Sequence, residues 1–169
     1  VSDVTDLLAK QAISEALYRY CRSLDRMDRP LASTVWHPGA TVDYGADIYQ
    51  GTAEGFLDWV WQAHTRFVAH SHQIANVLTV VDGDTAASEA YVTVTLRTKP
   101  DEGRVLDRVA RGRYLDSWAL RDGLWAIVRR RHVIDIRSAY EMPEEVVAAP
   151  TASARDRTDP SYEVPPNLT

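Results

Sequence analysis

Residues 105–136 read VLDRVARGRYLDSWALRDGLWAIVRRRHVIDI. Two long runs rich in β-branched and aromatic residues flank Arg121-Asp122-Gly123, a tight-turn signal. The pattern predicts strands over 105–120 and 124–136, paired antiparallel. The same grammar extends upstream. Residues 87–98 form a further strand carrying Tyr91, Val92, Val94 and Leu96, followed by the turn Lys99-Pro100-Asp101-Glu102-Gly103. Residues 70–81 are β-rich and end at Asp82-Gly83-Asp84. The second half of the chain therefore reads as an antiparallel meander of long strands.

The first half has a different period. Val4, Leu7, Leu8, Ala12, Ile13, Ala16, Leu17, Tyr20, Cys21 and Leu24 recur at spacings of three and four, the mark of a long amphipathic helix. Ser2 or Asp3 can cap it, and Asp28-Arg29-Pro30 ends it. Residues 31–36 fit a short helix, His37-Pro38-Gly39 a turn, and 40–44 a short strand. Tyr49-Gln50-Gly51 closes a hairpin-like excursion. Thr52 caps a third helix reaching about Arg66, with Phe56, Trp59 and Val60 on one side. Helices first and long strands after them define an α+β class. A twisted sheet curling around the first helix makes a cone and leaves a pocket between the two. Residues 1–142 are expected to form this one domain. From Pro143 onward Pro, Ala, Thr, Asp and Arg dominate, and residues 143–169 are expected to be an extended or disordered tail.

Composition narrows the function. A length of 169 residues suits one core. The net charge of −5 argues against a broad basic surface for nucleic acid. With Cys21 as the only cysteine, no intrachain disulfide or Cys-rich metal site is possible. No apolar run is long enough to span a membrane, and VSDVTDLLAK lacks the basic-then-apolar pattern of a secretory signal, so a cytoplasmic location is expected. Neither a Gly-x-Ser-x-Gly nucleophile turn nor a Gly-rich phosphate loop is present.

Two polar residues stand out against this apolar plan. Asp25 follows Cys21 by four residues and so falls on the buried face of the first helix, where a carboxylate needs a partner. Pairing with Arg22, Arg26 or Arg29 at a frayed helix end is the plain alternative. His72 opens a strand, with His70, Ile74 and Asn76 expected on its face. An aspartate bonded to one imidazole nitrogen fixes the tautomer and leaves the other nitrogen free as a base. Two nearby histidines also suggest a metal, but an i, i+2 pair on a strand without a clear third ligand is weak evidence for one, and none is expected. Arg129-Arg130-Arg131 must send at least one guanidinium inward by alternation. Arg130 reads slightly better as a solvated edge-strand residue. The tryptophans read as core or pocket wall.

The series Tyr20-Cys21-Arg22-Ser23-Leu24-Asp25, Leu31-Ala32-Ser33, Trp36, Tyr44, Tyr49-Gln50-Gly51, His72, Asn76 and Arg121-Asp122-Gly123-Leu124-Trp125 resembles the SnoaL-like branch of the nuclear-transport-factor-2-like superfamily, over residues 3–140. That branch includes lindane dehydrochlorinases, bile acid 7α-dehydratases and scytalone dehydratases. The resemblance implies a cone-shaped α+β fold and no cofactor. It implies a lyase or isomerase acting on a hydrophobic ring substrate, with His72 as base and Asp25 as its orienter. Tyr20 and Tyr44 match pocket tyrosines, and Arg129, by its distance after Trp125, matches an active-site arginine, with Arg131 and Arg137 as alternatives. The same fold also serves as a binding or assembly module, including the small subunit of ring-hydroxylating oxygenases. A homodimer or homotrimer through the outer sheet face is expected, since Tyr91, Val92, Val94, Leu96, Tyr114 and Trp118 exceed what one helical layer covers.

Overall fold

The computed structural model describes residues 4–148 and 153–164. Its elements are α1 (Val4–Asp25), α2 (Arg29–Ser33), β1 (Trp36–Asp43), β2 (Gln50–Thr52), α3 (Ala53–His64), β3 (Ala69–Asp82), β4 (Thr85–Thr98), β5 (Arg104–Arg121) and β6 (Leu124–Pro143). Short 3₁₀ turns follow at Glu144–Val147 and Pro160–Tyr162. Strands β3 to β6 form the expected antiparallel meander. β1 joins β6 in parallel and β2 joins β1, giving a six-stranded mixed sheet in the order β2-β1-β6-β5-β4-β3.

The long helix packs on the inner face of this sheet, against β3 and β6. Its buried stripe is Ala9, Ile13, Ala16, Leu17, Tyr20, Cys21 and Leu24. Burying Ile13 and Leu17 completely contributes roughly 1.5–3 kcal/mol each. Val4, Leu7 and Leu8, which share the period, are exposed, so the buried stripe begins only at Ala9. The helix ends in a Schellman arrangement: Met27 adopts φ 51°, Asp28 N–H donates to the Ser23 carbonyl and Met27 N–H to that of Leu24. Asp28 then caps α2 through Leu31 N–H, and Thr52 caps α3 through Gly55 N–H. The caps at residues 2–3 lie outside the described residues.

Three irregularities aim the side chains. Asn76 (φ 48°) sits unpaired between Ala75↔Tyr91 and Val77↔Ala90, so it drops out of the face shared by His72 and Ile74. On β6, Trp118 faces Ile127 while Ser117 faces Arg129, which makes Val128 a bulge. A second bulge falls at Asp135, between Gly112↔Ile134 and Arg111↔Ile136. Each bulge flips the alternation of everything beyond it.

Three further expectations are corrected here. His37-Pro38-Gly39 is not a turn but part of β1. Gly39, at φ 78°, absorbs the irregular register against β6, and Pro38 lies where β2 does not reach, so its missing N–H costs no ladder bond. The tail is not extended over residues 153–164. Arg26 pairs with Asp159, Arg22 donates to Ser161, Tyr162 donates to Asp28, and Arg155 donates to the carbonyls of His64 and Phe67. These bonds strap the segment across the ends of α1 and α3. Of the side chains expected on the outer sheet face, Val92, Val94, Tyr114 and Trp118 are instead buried in the core under the helices.

Candidate active site

Because Asp25 is the last residue of α1 and the Schellman turn fixes that end, its carboxylate is held over the first rungs of β3. It accepts twice from one residue: His72 backbone N–H donates to Oδ2 at 2.9 Å, and Nδ1 of the same His72 stands 2.6 Å from Oδ1. A carboxylate can only accept, so Nδ1–H is the donor, which leaves Nε2 as the nitrogen that carries the lone pair whenever the ring is neutral. The helix-end arginines do not compete for Asp25. Arg26 is taken by Asp159, Arg29 by Asp58, and Arg22 donates to Ser161.

The His72 side chain is 4 % exposed and lines a cavity of about 650 Å³ between the inner sheet face and α3. Leu24, Phe56, Trp59, Val60, Phe67, Val94, Leu96 and Ile134 supply apolar walls. That volume and that largely apolar lining are those of a small-molecule pocket. Tyr20 and Tyr44 also face the cavity, their hydroxyls 2.9 Å apart. Tyr44 stacks on Phe56 with centroids 4.5 Å apart. Burial raises the pKa of Tyr20 well above its ordinary value and also raises that of Tyr44, which leaves both phenols protonated as donors.

The arginine expectation is corrected by the bulge at Val128. A regular strand would put Trp125, Ile127 and Arg129 on one face. With one residue inserted, Arg129 is exposed and Arg130 is fully buried in the core. Arg130 is not a solvated edge residue, because β6 lies between β1 and β5. Its Nε and Nη2 donate to the two oxygens of Asp116, both at 2.7 Å, and its guanidinium carbon lies 4.3 Å from the Tyr20 ring centroid and 4.0 Å from that of Tyr114. Burial works against the charge, but Asp116, Tyr44 and Tyr20 outweigh it and hold the pKa well above the ordinary arginine value. Arg130 thus supports the tyrosine floor from beneath. Arg131 is exposed, 3.6 Å from Asp43, and Arg137 lines the cavity.

Three site residues escaped the sequence reading. Tyr114 and His132 line the cavity beside Tyr44, with the His132 ring centroid 4.9 Å from that of Tyr44. His132 faces inward because of the same bulge, and neither of its ring nitrogens has a protein partner among the described residues. His64, closing α3, lies with its ring 6.1 Å from that of His72. Burial pushes the pKa of His132 down to about 4 and that of His64 down to about 3, so both are neutral near neutral pH. Burial also pushes the Cys21 thiol up to about 12, which removes it as a nucleophile. Among the described residues no group of three or more His, Cys, Asp or Glu side chains is arranged to hold a metal ion. Nor is any described helix long and apolar enough to cross a membrane.

A long helix packed on a six-stranded mixed sheet, with a His–Asp pair facing an apolar cavity, gives the chain the architecture of the nuclear-transport-factor-2-like class. Residues 5–131 match the SnoaL-like domain, and the chain belongs to the SnoaL-like family. No curated protein matches significantly. Among solved structures, the fold is similar to a hexachlorocyclohexane dehydrochlorinase, LinA type 2 (17% identity, 82% of this chain and 93% of that one, TM-score 0.72). It is similar to a provisionally named scytalone dehydratase from Novosphingobium aromaticivorans (21% identity, 80% and 90% coverage, TM-score 0.68). It is also similar to the β subunit of a provisionally assigned aromatic-ring-hydroxylating dioxygenase from the same organism (19% identity, 78% and 92% coverage, TM-score 0.64). The fold is thus shared by eliminating enzymes and by an oxygenase subunit.

Proposed function

We propose that this chain is a cofactor-independent lyase or isomerase that removes a proton from a hydrophobic ring compound, with dehydration or a related elimination as the reaction. The observation that carries this reading is the Asp25–His72 contact at 2.6 Å, with Nε2 free of protein partners among the described residues and beside a cavity of about 650 Å³. His72 is the general base. Asp25 is its positioning residue: it holds the tautomer and stabilises the imidazolium that forms. Tyr44, backed by Tyr20, is placed to donate to a carbonyl or leaving-group oxygen, and Arg130 polarises that pair from beneath.

A base in an apolar pocket can be tested without the natural substrate. 5-Nitrobenzisoxazole loses its ring proton to a base while its N–O bond breaks, and the phenolate product is coloured. The wild-type chain is expected to accelerate this opening, and His72→Ala to lose roughly 10²–10⁴-fold. Equal rates for the two proteins would remove the catalytic reading. The second reading, a binding module, draws support from the likeness to the dioxygenase β subunit. Under it neither protein accelerates the reaction.

Assembly belongs to the same proposal. β3 and β4 expose Leu78, Val80 and Tyr91, and β6 exposes Ile136 and Tyr140. A homodimer or homotrimer would cover these side chains on the outer sheet face. Light scattering at micromolar concentration should give two or three chain masses, and a monomer would refute it.

A further inference from the structure

The cavity is apolar inside but carries uncompensated positive charge. Arg66, Arg108 and Arg137 line it, each exposed, and among the described residues no aspartate or glutamate lines it. None of the three forms an ion pair among the described residues. Arg108 donates to the neutral Thr98 hydroxyl, and Arg66 lies over the Phe67 ring. On the same sheet Arg97, Arg104 and Arg113 each find a carboxylate, so the chain does not lack acids to pair with.

The strand register brings two of the three together. Arg108 faces Ala139 and Arg137 faces Ala110, which makes the arginines diagonal neighbours on the inner face, on the order of 7 Å apart. The small partners leave space between them. Two like charges at that separation repel, and an anion seated between them relieves the repulsion. The bulge at Asp135 is what turns Arg137 inward, away from the outer ion pair of Arg113 with Asp135.

We propose that the substrate is an apolar ring body bearing an anionic group, a carboxylate or a phosphate. The ring lies against Phe56 and Trp59 and the anion is held by Arg108 and Arg137, with Arg66 across the opening. This rests on the reading of the cavity as a substrate site and adds the class of molecule that enters it.

Calorimetric titration with three probes of one shape tests it: 1-naphthaleneacetate, 1-naphthyl phosphate and the uncharged 1-naphthaleneacetamide. At low salt at least one anion should bind about tenfold or more tightly than the amide, as charge-assisted bonds to arginine require. The tighter of the two anions identifies the group. The advantage should shrink at about 0.5 M salt, where exposed charges are screened. The double variant Arg108→Gln/Arg137→Gln should abolish the advantage, so that acid and amide bind with equal affinity. Arg137→Glu should bring anion binding below that of the amide. Both sites are exposed, and matching circular dichroism spectra confirm folding. Equal affinities for acid and amide, no binding by any probe, or an advantage that survives the double variant would overturn the proposal. His72→Ala should keep the anion preference, so failure of base catalysis and failure of anion recognition are read separately.

Discussion

Asp25 does two jobs with one carboxylate, and this explains why a helix end is a sound place for it. One oxygen accepts from the His72 backbone and the other from its ring, so the residue joins α1 to β3 while it orients the imidazole. Arg130 and Asp116 form the other polar pair, and both side chains are fully buried. Removing one partner of such a pair leaves an uncompensated charge. Arg130→Met is therefore expected to lower stability by roughly 3–5 kcal/mol. Adding Asp116→Leu should restore most of the loss, since a well-packed apolar pair of similar volume is close to neutral in its place. Urea titrations of the three proteins check this. A double variant as unstable as the single would show that Arg130 acts through its contacts with the tyrosine rings, not through Asp116.

At the scale of elements, bulges decide which residues reach the site. The cross-strand pairs at Val128 and Asp135 slip by one residue each, turning Arg130, His132 and Arg137 inward and Arg129 outward. At the second bulge, a Cβ on Gly112 would stand 2.1 Å from the Val133 carbonyl oxygen. Backbone cannot yield there without breaking the β5–β6 ladder. Gly112→Ala should cost about 1–3 kcal/mol or more, measured by thermal unfolding, while alanine at the open Gly123 turn leaves the ladder intact and acts only through its local backbone. An unchanged melting temperature for Gly112→Ala would mean that the ladder shifts freely at this point. The same bulges limited what could be read from sequence. Strand positions, the helix stripe from Ala9 and the place of Asp25 on the apolar helix face follow from hydrophobic period and turn chemistry, while the joining of Asp25 to His72 as a dyad rests on the family resemblance. A single inserted residue leaves no compositional mark in VRRRHVIDI, so alternation leaves open which of Arg129, Arg130 and Arg131 turns inward, the spacing after Trp125 that the family resemblance implies points to Arg129, and His132 is missed. The folded segment 153–164 was equally hidden. Its hold on the domain comes from Arg22, Arg26 and Asp28, distant in sequence and ordinary as surface charges.

For the whole molecule, the buried histidines make stability depend on acid. Burial depresses the pKa of His64 to about 3, and those of His70 and His132 to about 4. Unfolded histidines titrate near 6.5, so below that pH the unfolded chain binds more protons than the folded one. The stability associated with these neutral rings is therefore complete above about pH 6.5. It is lost as pH falls toward 4, with a slope of up to ~1.4 kcal/mol per pH unit for each histidine involved. Urea midpoints between pH 7.5 and 4 should fall steeply, and His132→Phe should flatten the slope. A flat profile would mean that these rings are protonated in the folded state.

The base itself is tested most directly by a double-mutant cycle on the opening of 5-nitrobenzisoxazole, with wild type, Asp25→Asn, His72→Ala and the double variant. Asp25→Asn can neither stabilise the imidazolium nor reliably fix the tautomer, so each single change should cost a similar factor, roughly 10²–10⁴. The double variant should then lose little more than either single, because the two residues act as one unit. Fully additive losses, with all four proteins folded, would show that Asp25 and His72 act independently.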